Sequence, residues 1–135
     1  MGGPINSFED LEVWQKSKEL VVAAYGITKR FPHGELYGLT SQVKRAALSV
    51  PANIAEGFGR YHYMDKAKFY LNSRGSLYEL KSHLLLAKEL GFGNGGDYKE
   101  AMETNERLSV QLNNLITATR KRGKRDLSGE RTEIG

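Results

Sequence analysis

Glu79 and His83 stand four residues apart, a spacing that sets a carboxylate and an imidazole on one face of a helix, where they would ligate a metal or pass a proton. A di-iron centre in a helical bundle needs more, namely Glu-x-x-His on two helices and two further inward glutamates. No Glu-x-x-His occurs in the sequence, so the pair reads as an exposed charge pair and no metal is expected. His33, beside Pro32 and Gly34, and His62, between two tyrosines, read as solvated polar residues of a turn and a loop. The absence of cysteine excludes disulfides, thiolate nucleophiles and Cys-ligated zinc or iron-sulfur sites. Glu56-Gly57-Phe58-Gly59-Arg60 has two glycines of a phosphate-cradling loop but lacks the preceding strand, a third glycine and a Lys-Ser or Lys-Thr pair. It reads as a helix end, and the chain as non-enzymatic, with no catalytic residue and no cofactor.

What remains is cationic. The formal charge is +4, and its distribution is uneven: residues 1–119 hold 14 basic and 13 acidic side chains, residues 120–135 hold 6 and 3. Within the body, residues 36–88 carry 8 basic and 3 acidic groups. A basic middle and a basic tail are the expected electrostatic footprint of a phosphate-binding protein. The candidate nucleic-acid contacts are Lys44, Arg45, Arg60, Lys66, Lys68 and Arg74 in the body and Arg120, Lys121, Arg122, Lys124 and Arg125 in the tail. Any one of them is equally a solubilising charge on an exposed helix face. Tyr61 and Tyr63 flank this set and would either stack on bases or pack across a helix junction.

Four helices must position these groups. Ser7 and Asp10 have the spacing of a capping box, so the first helix is expected over 8–30 and stops before Phe31-Pro32. It carries two apolar stripes, Val13, Leu20, Ala24, Ile27 and Phe31, and Leu11, Trp14, Val21 and Tyr25. A second helix is expected over 38–58, rich in small residues and kinked at Pro51, which removes a backbone hydrogen bond. Asn53 and Glu56, one turn on, are expected to serve backbone groups freed there or else to face a partner, and Gly57 to end the helix or admit a close neighbour. Further helices are expected over 64–90 and 97–121, separated by the glycine-rich run Gly91 to Gly96. Residues 1–7 and 122–135 read as a flexible segment and a mobile basic tail around one all-α domain, an antiparallel up-down-up-down four-helix bundle. With no apolar run near the ~20 residues of a membrane span and no signal peptide pattern, a cytoplasmic location and no membrane contact are expected.

Phe8-Glu9-Asp10-Leu11-Glu12-Val13-Trp14-Gln15-Lys16, the segment from Phe31-Pro32 through Gln42, and above all Ser49-Val50-Pro51-Ala52-Asn53-Ile54-Ala55-Glu56-Gly57 carry a resemblance. So do Ser76-Leu77-Tyr78-Glu79 and Ala87-Lys88-Glu89-Leu90-Gly91, in order, and the match covers roughly residues 8–119. The chain resembles the four-helix-bundle proteins encoded in intervening sequences of bacterial 23S rRNA genes. That resemblance implies an antiparallel bundle assembled as a ring-shaped homopentamer. It also implies kinship with accessory variability determinant proteins of diversity-generating retroelements, basic proteins that bind nucleic acid and partner a reverse transcriptase. In such a ring the second stripe of the first helix, Leu11, Trp14, Val21 and Tyr25, is the expected subunit interface, because a helix buried on two sides needs two stripes. Pro51, Asn53, Glu56 and Gly57 are carried over as structural residues.

Two functional readings follow. In one the protein is an oligomeric nucleic-acid-associated bundle that contacts RNA or DNA directly. In the other it is a protein-protein adaptor or scaffold, for example an accessory subunit holding a reverse transcriptase. An enzymatic reading has no residue pattern behind it.

Overall fold

A computed structural model describes residues 3–128. Four α-helices account for most of them: α1 (Glu12–Thr28), α2 (Leu39–Gly59), α3 (Tyr63–Glu89) and α4 (Gly95–Ser128), with no strand among the described residues. The fold class read from periodicity is therefore the one observed. Each helix packs on two others, α1 on α2 and α4, and α3 on α2 and α4, while α1 and α3 stay apart across the bundle.

The start of α1 differs from expectation. The capping box forms, with Glu9 N–H donating to Ser7 Oγ at 3.2 Å and Ser7 N–H to Asp10 Oδ2 at 3.1 Å. It caps a single 3-10 turn, Phe8–Asp10, rather than the α-helix. Asp10 Oδ2 also accepts from Asn6 N–H at 2.9 Å, and Leu11 then turns extended before α1 begins at Glu12. The short carboxylate draws the chain back on itself and tightens the first turn. Phe8 closes the corner edge-on against Trp14 at 5.3 Å. At the other end of α1, Phe31 and extended Pro32 stop the helix as expected, and Glu35 Oε1 accepts the Leu39 N–H at 3.0 Å to cap α2.

The core draws from every helix: Val13, Leu20, Ala24 and Ile27, then Val43, Val50 and Ile54, then Leu77, Leu80 and Leu84, then Leu108, Leu112 and Ile116. Leu11, Trp14 and Val21, the second stripe of α1, lie half-buried on its rim. The α2–α3 seam is the most extensive and is built from small and hydroxyl residues. Ser49 Oγ meets Ser76 Oγ at 2.8 Å, and Ser73 Oγ donates to the Val50 carbonyl at 2.9 Å. These bonds satisfy polar atoms that burial would otherwise make costly. Partner numbers fall along α3 as they rise along α2: Arg45 reaches Glu79, Ser49 reaches Ser76, and Gly57 abuts Tyr70.

α2 runs through Pro51 as one helix. Asn53 Nδ2 donates to the Ser49 carbonyl at 2.9 Å and to Ser49 Oγ at 3.0 Å. Proline removes the donor for the carbonyl four residues before it, that of Ala47, so Asn53 braces the neighbouring turn rather than the freed group. Glu56 departs from expectation: it pairs with Arg60 at 3.1 Å. Gly57 is where the two helices come closest, since a Cβ there would lie 2.7 Å from Tyr70 Cε1 and 3.1 Å from the Lys66 carbonyl oxygen.

The largest difference is in α4. A helix ending at Lys121 and a mobile tail were expected, yet α4 continues to Ser128. Gly123 is the reason. It falls on the inward side, buried, where a Cβ would lie 2.6 Å from Met64 Sδ and 3.5 Å from Tyr63 Cβ. A residue that reads as a helix breaker instead lets α4 lie against the start of α3. The remainder of the expected tail, residues 129–135, and residues 1–2 lie outside the described residues.

Candidate nucleic-acid interface

Because α4 is longer than expected, it carries the basic tail to the end of the bundle where α2 hands over to α3. Asp126 stands beside Tyr61, His62, Tyr63 and Lys66 around an open cavity of about 490 Å³. The middle and the tail of the sequence, 50 residues and more apart, thereby become one surface. Arg60 lies over the Phe69 ring at 4.6 Å while paired with Glu56, and Arg122 over Tyr63 at 5.9 Å. Lys66 is turned inward, donating to the Phe58 carbonyl at 2.7 Å and lying 5.4 Å from the Phe58 ring centre. Burial holds its ammonium below the ordinary 10.5. Lys68, Arg120, Lys121 and Lys124 are exposed, and Arg125 is exposed on the same last turns of α4.

Rings hold two of these cations in place, and cation-ring contacts add about 0.5–1 kcal/mol at such exposed sites. A guanidinium over a ring keeps donors for a phosphate or a base, although one of Arg60's is engaged by Glu56. Tyr61 is 88 % exposed and meets His62 edge-on at 4.9 Å. The acidic start of the chain, Glu9, Asp10 and Glu12, reaches the same end through its contact with α2, on the α1 side and diagonal to α3.

Three expected contacts lie elsewhere. Lys44 sits over Tyr25 at 4.9 Å, covering part of the second α1 stripe. Arg74 donates to Asn113 Oδ1 at 2.9 Å across α3–α4. Arg45 pairs with Glu79, which His83 also meets at 3.4 Å. Burial alone would raise the Glu79 pKa, but the hydrogen bonds and charges of Arg45 and His83 outweigh it and hold the carboxyl below its usual 4.5. A carboxyl depressed in the fold is protonated first in the unfolded chain, so its stabilisation is complete above about pH 4.5 and is lost as pH falls through the folded value. Glu79→Gln is therefore expected to be less stable than the wild type at pH 7, with the difference closing towards pH 3. Urea midpoints across that range check it, and a pH-independent difference contradicts it.

No group of three or more His, Asp or Glu side chains among the described residues stands close enough to hold a metal. No helix among them is long and apolar enough to cross a membrane. A group of exposed apolar side chains lies not on α1's second stripe but on the outer side of α3 and at its C-terminal cap: Tyr78, Leu85, Leu86 and Leu90, each 50–62 % exposed. Tyr78 and Leu85, two turns apart, share an outward line on a helix that also lines the core.

Compared with known proteins, residues 9–114 match the family model described as 23S rRNA-intervening sequence protein. No curated protein matches the chain.

Proposed function

Because this chain belongs to the 23S rRNA-intervening sequence protein family, we propose that it is a non-enzymatic, cytoplasmic, nucleic-acid-associated bundle that engages RNA or DNA through the basic end formed by the α2–α3 turn and the last turns of α4. One observation carries the reading: two basic stretches far apart in sequence meet on one exposed surface with Tyr61 at its edge. The family's name supports association with RNA without specifying it.

The same reading includes self-assembly of antiparallel up-down-up-down bundles into a homopentameric ring. The outward apolar row of α3 supports it, since exposed apolar patches mark interaction surfaces. A ring repeats the basic end and multiplies weak phosphate contacts into avidity. That row equally favours the second reading, an adaptor that holds a protein partner such as a reverse transcriptase, in the manner of the accessory proteins of diversity-generating retroelements.

Anisotropy titrations against structured RNA and duplex DNA across a salt series, with light scattering in parallel, test both parts. The logarithm of affinity falling linearly with log salt, from an oligomer, is the expected result. Absence of binding to either nucleic acid sinks the first reading and leaves the adaptor; a monomer at micromolar concentration sinks the ring.

A further inference from the structure

At the other end of α2 from the basic surface, the mouth of the α1–α2 hairpin holds a smaller cavity of about 230 Å³. Tyr25 and Lys29 wall it from α1, His33 from the bend, and Thr40 and Lys44 from the start of α2. Each helical pair is four residues apart, so each presents one face to the cavity. The charged groups around it are of one sign. The side chains of Lys29, His33 and Lys44 make no ion pair or hydrogen bond among the described residues, and no carboxylate lines the cavity. Lys44 lies over the Tyr25 ring at 4.9 Å, a contact that leaves its N–H donors open. Glu35, in the same bend, is held at the Leu39 N–H.

Thr40 points to a ligand independently of the charges. It is only 6 % exposed, yet its hydroxyl has no hydrogen-bond partner among the described residues. Thr28 and Thr119, buried to the same degree, each donate to a carbonyl of their own helix, at 2.9 and 2.7 Å. A buried hydroxyl left unpaired is costly unless water or an ion completes it. Among the described residues Gln111 Oε1 is the side-chain atom both unpaired and sealed from solvent. The Thr40 hydroxyl therefore keeps an opening, and the cavity it lines provides one.

We propose that this cavity binds a phosphate group, as inorganic phosphate or on a small phosphomonoester, a site separate from the nucleic-acid surface. Its volume falls below the ~300–1,000 Å³ of sites for drug-sized ligands, which suits an ion of that size. A tetrahedral oxyanion accepts at once from the two ammonium groups, the imidazole N–H and the Thr40 hydroxyl. The cations attract any anion, and the buried hydroxyl distinguishes a seated oxyanion from a diffuse counterion.

The test compares wild type, Thr40→Val, Lys44→Gln and Lys68→Gln as full chains, in sodium phosphate and in sodium chloride of equal ionic strength. Phosphate is expected to raise the wild-type Tm and to shift amide resonances of residues 25–44 saturably. In chloride, Thr40→Val should be at least as stable as wild type, because it loses no hydrogen bond. In phosphate its Kd should rise about fivefold, and that of Lys44→Gln about tenfold or more. Lys68→Gln, at the basic end, should bind phosphate as wild type does. Displacement of phosphate by adenosine 5′-monophosphate assigns the site to phosphomonoesters; phosphate binding without displacement assigns it to the inorganic ion. The proposal is overturned by the absence of saturable shifts in residues 25–44, or by equal weakening in Lys68→Gln. Loss of stability of Thr40→Val in chloride overturns it too, since the hydroxyl would then have a structural partner.

Discussion

Replacing Lys68, Arg120, Lys121 and Lys124 together by glutamine is expected to lower affinity for duplex nucleic acid by about a thousandfold at 0.1 M salt, and to reduce the salt slope by about 3–4. Each phosphate contact releases condensed counterions, and four lost contacts at ~0.9 in slope each give that sum. The four side chains are exposed and take part in none of the bundle's ion pairs or hydrogen bonds among the described residues. Stability should therefore stay within about 0.5 kcal/mol of wild type. The control changes net charge equally: Lys29, Lys88, Lys99 and Arg107, exposed and away from the basic end, replaced by glutamine. If both variants lose affinity alike, binding follows total charge and not the surface built by α3 and α4.

The second large effect concerns the block around Pro51. Gly57→Ala is expected to destabilise the bundle by about 1 kcal/mol, because overpacking costs about 1–3 kcal/mol while alanine gains up to ~1 in helix propensity over glycine. The new methyl would press on the ring of buried Tyr70 and on the Lys66 carbonyl, which is backbone and cannot swing aside. Gly75 is the contrast. It lies mid-α3 with nothing within 4 Å of its would-be Cβ, so Gly75→Ala should stabilise by about 0.5–1 kcal/mol. Urea denaturation of both variants decides it: a Gly57→Ala protein as stable as wild type means that the helices can separate there without loss.

Those two glycines show what pattern reading could reach. Gly57 was legible as a place of close approach because a helix already rich in alanine and serine signals tight packing. Helix number, order and the core positions of the first helical stripe, Val13, Leu20, Ala24, Ile27 and Phe31, were legible too, since an amphipathic period records a buried face. Tyr78 and Leu85 were not, because α3 is apolar on two sides and period alone does not say which side meets the bundle's own core. The continuation of α4 was hidden for a different reason. Gly123 lowers helix propensity locally, and only its contact with Met64, a residue 59 positions earlier, reveals that the missing side chain is what lets the helix pack. With α4 cut at Lys121 the tail had no place, so the basic end could be read as two clusters but not as one surface. The pairing of Arg45 with Glu79 was not legible, because it joins residues 34 positions apart on two helices.

The claim that the basic end is the nucleic-acid surface is tested most directly by mapping where RNA touches the full chain. A single-stranded RNA carrying 4-thiouridine, cross-linked by light to the protein and followed by peptide mass spectrometry, should label peptides spanning residues 60–68 and 120–128. Cross-links confined to the first half of α2, around Lys44 and Arg45, or to α1, would contradict it.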